Sequence, residues 1–210
     1  PGGQATDTRS EKIAKNQAFK QKVVALQGDI ETGAIQQVPQ GITPIFSPRN
    51  SLTMLNTYAA LLDDAKSCAA ITLAFGIADV FKETLADNTS KDQITFMLLE
   101  KRDQPAPGQA KRFTSLTARN NVYEAWGPYI KDPLYQWTKE INNQIIKLNQ
   151  HVLYIHSKFM LIDPLGSEPI IVTGSANFSS ASTTSNDENM IVIKGSRRAA
   201  DIYFTEFNRL

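Results

Sequence analysis

The sequence predicts an α/β domain built around a β-sheet, and three observations lead to this prediction. The chain has 210 residues, enough for one large domain or for a domain with an attached arm. Hydrophobic residues make up 41% and charged residues 20% of it, a composition that can bury a core. Short apolar runs alternate with segments whose apolar residues recur every three or four positions, which is the pattern of strands alternating with helices.

The predicted elements follow a regular order. A polar tail over residues 1–10 precedes a helix over residues 11–27, and the Gly-, Pro- and Gln-rich stretch Gly28–Pro48 predicts an extended connection. Asn50 or Ser51 is expected to cap a helix that runs to about Lys66. The remaining predicted elements are strands over Ala69–Phe75, Gln93–Leu99, Val152–Ile162, Pro169–Thr173 and Glu188–Ile193, and helices over Asp79–Leu85, Pro133–Leu148 and Ser196–Leu210.

The charge balance narrows the function. Lys and Arg number 22 and Asp and Glu 21, a net charge of +1 that argues against a broadly cationic nucleic-acid binder. A loop over residues 101–119 nevertheless holds five cations and one acid: Lys101, Arg102, Lys111, Arg112, Arg119 and Asp103. Its composition leaves two interpretations open, a solvated surface loop and a rim that faces phosphate.

The sequence does not indicate the cellular compartment of the protein. Cys68 is the only cysteine, so the chain cannot form an internal disulfide. No apolar run approaches the roughly 20 residues of a membrane span. The chain begins Pro1-Gly2-Gly3, so we expect a processed chain or a piece of a longer protein, and a signal peptide could have been removed.

The segment from His151 to Asp163 carries the most reactive side chains. In an extended strand, residues two apart share a face, so His156 and Lys158 are expected to point the same way and Phe159 to point oppositely, into a core. An imidazole can attack phosphorus or transfer a proton near neutral pH. An ammonium can neutralise charge on phosphate oxygens. The pair therefore suits phosphate chemistry.

Two other polar residues of this segment have the opposite strand parity. Asp163 and His151 are each an odd number of residues from His156, so an unbroken strand turns them to the other face. Asp163 is therefore predicted to be structural and to bond backbone, or a cation, behind the sheet. A metal site built from the two histidines is not expected.

A second polar cluster follows the next predicted strand. Gly174 permits a tight turn from strand to loop. Ser175 and Asn177 are again two residues apart, and their polar groups could bind phosphate oxygens beside Lys158. Either residue could instead cap a helix, a role that needs no ligand. The cluster alone leaves both interpretations open.

A third cluster, Asn186 to Asn189, leads into an apolar strand. A carboxylate such as Glu188 at the mouth of this strand could accept a hydrogen bond from the Nδ1–H of a histidine. Such a bond would fix the tautomer and leave Nε2 free to attack. The alternative is a solvated turn.

Taken together, the three clusters resemble the phospholipase D superfamily. The family has His-x-Lys with an Asp five residues on, then Gly-Ser-x-Asn, then an acidic residue before the last core strand. This chain matches these motifs in order with His156, Lys158, Asp163, Gly174, Ser175, Asn177 and Glu188. The stretch Phe46-Ser-Pro-Arg49 also resembles the start of the second lobe of bacterial two-lobe members, so the similarity covers about residues 43–210.

The resemblance implies a mixed sheet flanked by helices on both faces, and two His-Lys motifs that meet across a pseudo-twofold interface. One histidine forms a covalent phosphohistidine. The other protonates the leaving alcohol and then activates water or an acceptor alcohol, and no metal or other cofactor is required. His156, Lys158, Asn177 and Glu188 are the implied catalytic residues, and Ser175 is the implied substrate-binding residue.

This chain carries a single His-x-Lys, so the resemblance implies a half-site. The expected partner is a second lobe upstream in the same parent chain, which we favour, or a second copy of this chain. Residues 1–42 are then an arm ahead of a lobe over residues 43–210. The expected substrate is a phospholipid or another phosphodiester, and the near-neutral charge counts against nucleic acid. A homodimeric nuclease and a non-catalytic assembly or binding lobe are the alternatives.

Overall fold

A computed structural model describes residues 4–27, 38–86, 88, 92–104, 116, 120–126 and 155–210. Within these ranges the chain forms five α-helices and seven strands. In chain order they are α1 (Arg9–Gln27), β1 (Gly41–Phe46), α2 (Thr53–Asp63), β2 (Cys68–Leu73), α3 (Asp79–Leu85), β3 (Ile94–Leu99), β4 (Val122–Trp126), β5 (Phe159–Ile162), β6 (Ile170–Gly174), α4 (Ser180–Thr184), β7 (Asn189–Lys194) and α5 (Arg197–Arg209).

The seven strands of these described ranges form one mixed sheet in the order β1-β7-β6-β5-β2-β3-β4. The pairs β2–β3 and β3–β4 are parallel. The other neighbouring pairs are antiparallel. The predicted α/β fold with a mixed sheet is thereby confirmed.

Helices pack on both faces of this sheet. On one face, α2 and α3 contribute residues such as Leu61 and Phe81 to a core that includes Met160 of β5. On the other face, α5 packs Phe207 near Phe159 of β5. All four residues of β5 are buried, because a central strand faces a core on each side. The prediction of helices on both faces is confirmed.

Several predicted elements agree with the structure and three observed ones were not predicted. The helix over Asp79–Leu85 has the predicted bounds. Residues 41–46 were predicted to be part of an extended connection, but they form β1, which pairs with β7. Strand β4, which lies at the sheet edge and is half-exposed, and helix α4, which has only five residues, were not predicted.

The predicted cap of α2 is wrong. The residue in the cap position is Leu52, and no side chain caps this helix. The hydroxyl of Ser51 instead accepts a hydrogen bond from the backbone N–H of Thr53 at 3.3 Å. A short polar residue just before an apolar helix predicts the cap only if the start of the helix is known to the residue. Here the helix starts at Thr53, so neither Asn50 nor Ser51 takes the cap position.

The strand predicted over Val152–Ile162 is shorter in the structure. Only Phe159–Ile162 pair as β5, and residues 155–158 are not part of a strand. Several predictions lie outside the described residues: the start of this strand with His151, the helix over Pro133–Leu148, most of the Gly28–Pro48 connection, and the loop cations Lys111, Arg112 and Arg119. In the described part of the chain, no helix has both the length and the apolar character needed to cross a membrane.

Candidate active site

The three polar clusters of the sequence meet at one edge of the sheet. Strands β5, β6 and β7 are antiparallel neighbours, so the start of β5, the end of β6 and the start of β7 lie side by side. His156 and Lys158 directly precede β5, Ser175 and Asn177 follow β6, and Glu188 precedes β7. The topology therefore gathers residues that are far apart in the chain.

Lys158 is held on both its backbone and its side chain. Its carbonyl oxygen accepts hydrogen bonds from the backbone N–H of Gly174 at 3.4 Å and from the hydroxyl of Thr173 at 3.3 Å. Its Nζ donates to the carbonyl oxygen of His156 at 2.6 Å. Burial lowers the pKa of the Lys158 ammonium below its usual range, and the negative charge of Glu188 partly opposes that shift. The ammonium is thus partly desolvated beside a carboxylate.

His156 presents its imidazole to solvent and to one aromatic ring. The residue is exposed, and its ring lies edge-on to Phe75, with centroids 6.0 Å apart and an interplanar angle of 87°. Phe75 is 64% exposed, although the sequence predicts it inside a strand. Strand β2 ends at Leu73, and Gly76 has a φ of +99°, a backbone conformation that favours glycine. An aromatic residue next to glycine at a strand end is the signal that could have found Phe75.

Neither candidate of the second cluster caps a helix. The cap of α4 is Ser179, whose hydroxyl accepts from the backbone N–H of Ser182 at 3.3 Å. The hydroxyl of Ser175 accepts from the backbone N–H of Asn189 at 3.0 Å and so joins the end of β6 to the start of β7. The Oδ1 atom of Asn177 is buried and, within the described residues, has no hydrogen-bond partner. A buried acceptor without a partner is costly in a folded protein, which makes Asn177 a candidate ligand-binding residue.

Gly174 is required by the close approach of two strands. A Cβ atom at this position would overlap the carbonyl oxygen of Asn189 and would lie 2.7 Å from the Cα of Met190. The glycine therefore lets β6 and β7 approach each other where Ser175 and Glu188 must come together.

Glu188 lies near the lysine of the motif rather than bonded to the histidine. Its carboxylate accepts a hydrogen bond from the side-chain amide of Asn186 at 3.3 Å. Its charge acts on Lys158. Among the residues that the structure describes, no hydrogen bond joins Glu188 to His156. The electrostatic partner of Glu188 in this structure is the ammonium.

Two clefts open beside Phe75. One has a volume of about 290 Å³, and its lining includes Phe75, Asn177, Lys82 and Asp103. Lys82 and Asp103 form an ion pair at 2.7 Å with side chains only 6% and 10% exposed, which the sequence analysis did not anticipate. The second cleft, of about 330 Å³, is lined by Ala74–Gly76 and Lys101–Gln104. Lys101 and Arg102, the first two cations of the basic loop, therefore border the candidate site.

Asp163 lies at the other end of β5. Its carboxylate accepts hydrogen bonds from the backbone N–H of Lys66 at 2.9 Å, from the N–H and hydroxyl of Ser67, both at 2.8 Å, and from the N–H of Cys68 at 3.2 Å. Burial raises the pKa of this carboxyl, but these hydrogen bonds outweigh it and hold the pKa below its usual range. Asp163 thus fixes the turn that leads into β2.

The arrangement supplies the groups that phosphate chemistry needs. An exposed imidazole can attack phosphorus or transfer a proton. A partly buried ammonium and a buried amide can stabilise charge on phosphate oxygens. The described residues include no group of three or more His, Cys, Asp or Glu side chains placed to hold a metal ion.

Comparison with known protein families gives one match. Residues 60–210 match a family model described as "Cardiolipin synthase, PLD-like domain". No curated protein matches the chain.

Solved structures share the fold. Nuc from Salmonella typhimurium, a phospholipase D family member, is 16% identical with a TM-score of 0.54, and the match covers 80% of this chain and 91% of that chain. NucT from Helicobacter pylori is 13% identical with a TM-score of 0.52 over 80% of this chain and 93% of that chain. The phosphatidylserine synthase of Haemophilus influenzae is 14% identical with a TM-score of 0.50 over 98% of this chain and 46% of that chain.

Proposed function

Since this chain belongs to the phospholipase D superfamily, we propose that it supplies one half of a phosphodiesterase active site that hydrolyses or transfers a phosphatidyl group. The observation that carries the proposal is the meeting of three separate motifs at one sheet edge, where Glu188 acts on a partly buried Lys158 beside an exposed His156. The buried Oδ1 of Asn177, which has no hydrogen-bond partner among the described residues, can accept a hydrogen bond from a donor group of a substrate, which leaves the side-chain Nδ2 of Asn177 to donate to a phosphate oxygen.

The proposed reaction has two steps and two histidines, of which His156 is one. The Nε2 atom of one histidine attacks phosphorus, the bond from phosphorus to the leaving oxygen breaks, and the other histidine gives its proton to that oxygen. Water or an acceptor alcohol then attacks the phosphohistidine, loses a proton to the second histidine, and breaks the P–N bond. Lys158 and Asn177 stabilise the charge on the non-bridging oxygens in both steps. Glu188 keeps the ammonium of Lys158 charged.

A phospholipid is the substrate class we propose. The description of the matching family model names a phospholipid, cardiolipin, and one structural neighbour is named a phosphatidylserine synthase. The net charge of +1 also supports a substrate other than a nucleic-acid backbone, because binding to many phosphates relies on many cations. The Lys101–Gln104 cleft next to Phe75 supplies a small number of cations suited to a single phosphate group.

The partner that completes the site is proposed to be a second lobe with its own His-x-Lys motif, either upstream in the same parent chain or in a second copy of this chain. The lobe over residues 43–210 supplies one His-x-Lys motif, and the two-step reaction requires the histidines of two such motifs. An exposed His156 at the sheet edge is accessible to such a partner.

The test is a turnover assay on the full-length protein and on this chain alone, each over a range of protein concentrations. The substrates are a chromogenic phosphodiester, phosphatidylglycerol vesicles and a short DNA duplex. Turnover of the full-length protein with vesicles supports the proposal, and turnover of the chain that rises with the square of its concentration identifies a second copy as the partner.

Quenching with phosphorus-labelled substrate tests the intermediate. We expect a label on the protein that is stable to alkali and lost in acid, as a P–N bond is. Turnover with DNA but not with vesicles would replace the lipid substrate by nucleic acid. A full-length protein with no turnover on any of the three substrates would contradict the proposal in favour of a binding lobe.

A further inference from the structure

The His156–Lys158 segment lacks the strand pairing that normally fixes a backbone. The β2–β5 ladder ends at the pair Ile71 and Met160, and residues 155–158 are not part of any strand. Backbone that leaves a ladder generally gains freedom unless side chains hold it. Apart from the hydrogen bonds that the Lys158 carbonyl accepts from Thr173 and Gly174 of β6, the position of this segment therefore depends on side-chain contacts rather than on ladder hydrogen bonds.

Thr72 makes the first of these contacts. It is fully buried in β2, one residue past the end of the ladder with β5. Its hydroxyl donates to the carbonyl oxygen of Ser157 at 2.9 Å and accepts from the backbone N–H of Phe159 at 3.0 Å. One hydroxyl thus bonds the backbone on both sides of Lys158 and takes the place of the missing ladder pair.

Glu100 makes the second contact. It follows β3 and is 5% exposed. Its Oε2 accepts from the backbone N–H of Ile155 at 2.5 Å, one residue before His156. Its own N–H donates to the carbonyl oxygen of Leu73 at 3.1 Å, at the end of β2 that leads to Phe75. Glu100 therefore links the segment of His156 to the segment of the ring that His156 contacts.

We propose that Thr72 and Glu100 are positioning residues of the active site, which hold the backbone on both sides of His156 and Lys158 in the geometry that the reaction needs. The proposal rests on the proposed function. Both residues are polar positions next to apolar strand runs, and in a buried strand such a position requires a hydrogen-bond partner. The hydrogen bonds that the Thr72 hydroxyl makes to Ser157 and Phe159, and that Glu100 Oε2 accepts from Ile155, go to residues that belong to, or directly flank, the reactive segment.

Thr72→Val tests the first contact, because valine keeps the shape and removes the hydroxyl. We expect kcat of the full-length protein to fall by about 10- to 100-fold with KM little changed, since small displacements of reacting groups cost about this much. Thr72→Ser keeps the hydroxyl and should restore turnover. The matched control is Thr95→Val, because Thr95 is fully buried in neighbouring β3 and its hydroxyl has no partner in the described part of the chain.

Glu100 is tested by a parallel pair of variants. Glu100→Gln keeps an oxygen that can accept the Ile155 N–H, and Glu100→Met does not. We expect turnover to be retained by the first and lost by the second. Amide hydrogen exchange supplies a readout independent of activity: the Phe159 amide should lose protection in Thr72→Val, and the Ile155 amide in Glu100→Met.

The outcomes separate this inference from the proposed function. If wild type turns over, His156→Ala does not, and folded Thr72→Val and Glu100→Met keep wild-type kcat, the positioning role is wrong and the proposed function stands. Equal losses in Thr72→Val and Thr95→Val would show a general effect of removing a buried hydroxyl and would also overturn the role. A wild type without turnover overturns both.

Discussion

The two ends of β5 differ in how far their polar groups are satisfied. At the end that follows the strand, the Asp163 carboxylate accepts four hydrogen bonds from a single turn. At the end that precedes it, His156 is exposed, and the ammonium of Lys158 is partly desolvated beside Glu188. One continuous motif of the sequence therefore has an end with saturated hydrogen bonding, the structural end, and an end that we propose takes part in the reaction, the chemical end.

This difference shows that the presence of a residue in a motif does not determine whether its role is structural or chemical. The carboxylate of Asp163 uses its hydrogen-bonding capacity to hold the fold. Polar groups without such partners remain available to bind a ligand. The comparison predicts that substitutions at the two ends separate stability from activity.

The largest expected effect is on activity, from His156→Ala at the chemical end. Turnover of the full-length protein should fall by at least about 10²–10⁴-fold, because a nucleophile or general acid is lost. The melting temperature should be unchanged, since the side chain is exposed. The other histidine of the chain supplies the control His151→Ala, which should keep turnover. Near-normal turnover of folded His156→Ala would remove His156 from the chemistry.

The second largest expected effect is a loss of stability in Asp163→Asn, at the structural end. Asn tolerates the φ of +46° at this position, but its amide places donors where the turn also presents donors. We expect a loss of about 1–3 kcal/mol in the free energy of unfolding, with turnover per folded molecule unchanged. Urea denaturation measures it, and Asp64→Asn, at an exposed residue just past α2, is the matched control. A deep loss of turnover without a loss of stability would reverse the assignment.

Lowering the pH should remove part of the stability that the Asp163 carboxylate gives to the fold. The folded-state pKa of this carboxyl is lowered, so its stabilisation is present above the unfolded pKa of about 3.9 and is lost as pH falls through the folded pKa. The stability difference between wild type and Asp163→Asn should therefore be constant from pH 7 to about pH 5 and shrink below about pH 4. A difference independent of pH down to full acid unfolding would show that the charge is not what stabilises the turn.

The smallest expected effect is a shift in pH dependence from Glu188→Gln. Burial lowers the pKa of Lys158 and Glu188 opposes this, so removing the carboxylate charge should lower the pKa of the ammonium further. If Lys158 must be charged for catalysis, the alkaline limb of the rate profile moves to lower pH. Asp187→Asn, a change at the adjacent carboxylate, is the control. An unmoved limb with full activity would make Glu188 a turn residue only.

The sequence predicted the presence of the strands around the candidate site better than it predicted their exact extent. Hydrophobic periodicity located β2, β3, β6 and β7 to within about two residues, because local apolar runs determine these strands. The residues of three motifs could be found because each lies beside such a run. Strand β1 was not predicted because its partner strand, β7, is distant in sequence. The local composition of residues 41–46 does not indicate that pairing.

The contacts of single side chains were likewise beyond the sequence. Thr72 and Glu100 stood out only as polar positions at or near the ends of apolar runs, and nothing local told which backbone groups they would bond. The expected bond between Glu188 and His156 followed from resemblance and strand order. Which of two neighbouring side chains a carboxylate interacts with depends on side-chain packing, and Glu188 acts on Lys158 here.

The pairing of β1 with β7 constrains the order in which a nascent chain can fold. Residues 41–46 leave the ribosome well before their partners, residues 189–194. At the roughly 5–20 residues per second of translation, β1 waits on the order of 10 seconds for its partner. Until then it carries unpaired backbone groups and the apolar side chains of Ile42 and Phe46, which even the finished fold leaves 70% and 48% exposed. Until β7 has been made, β1 therefore presents the kind of unpaired strand at which aggregation can begin.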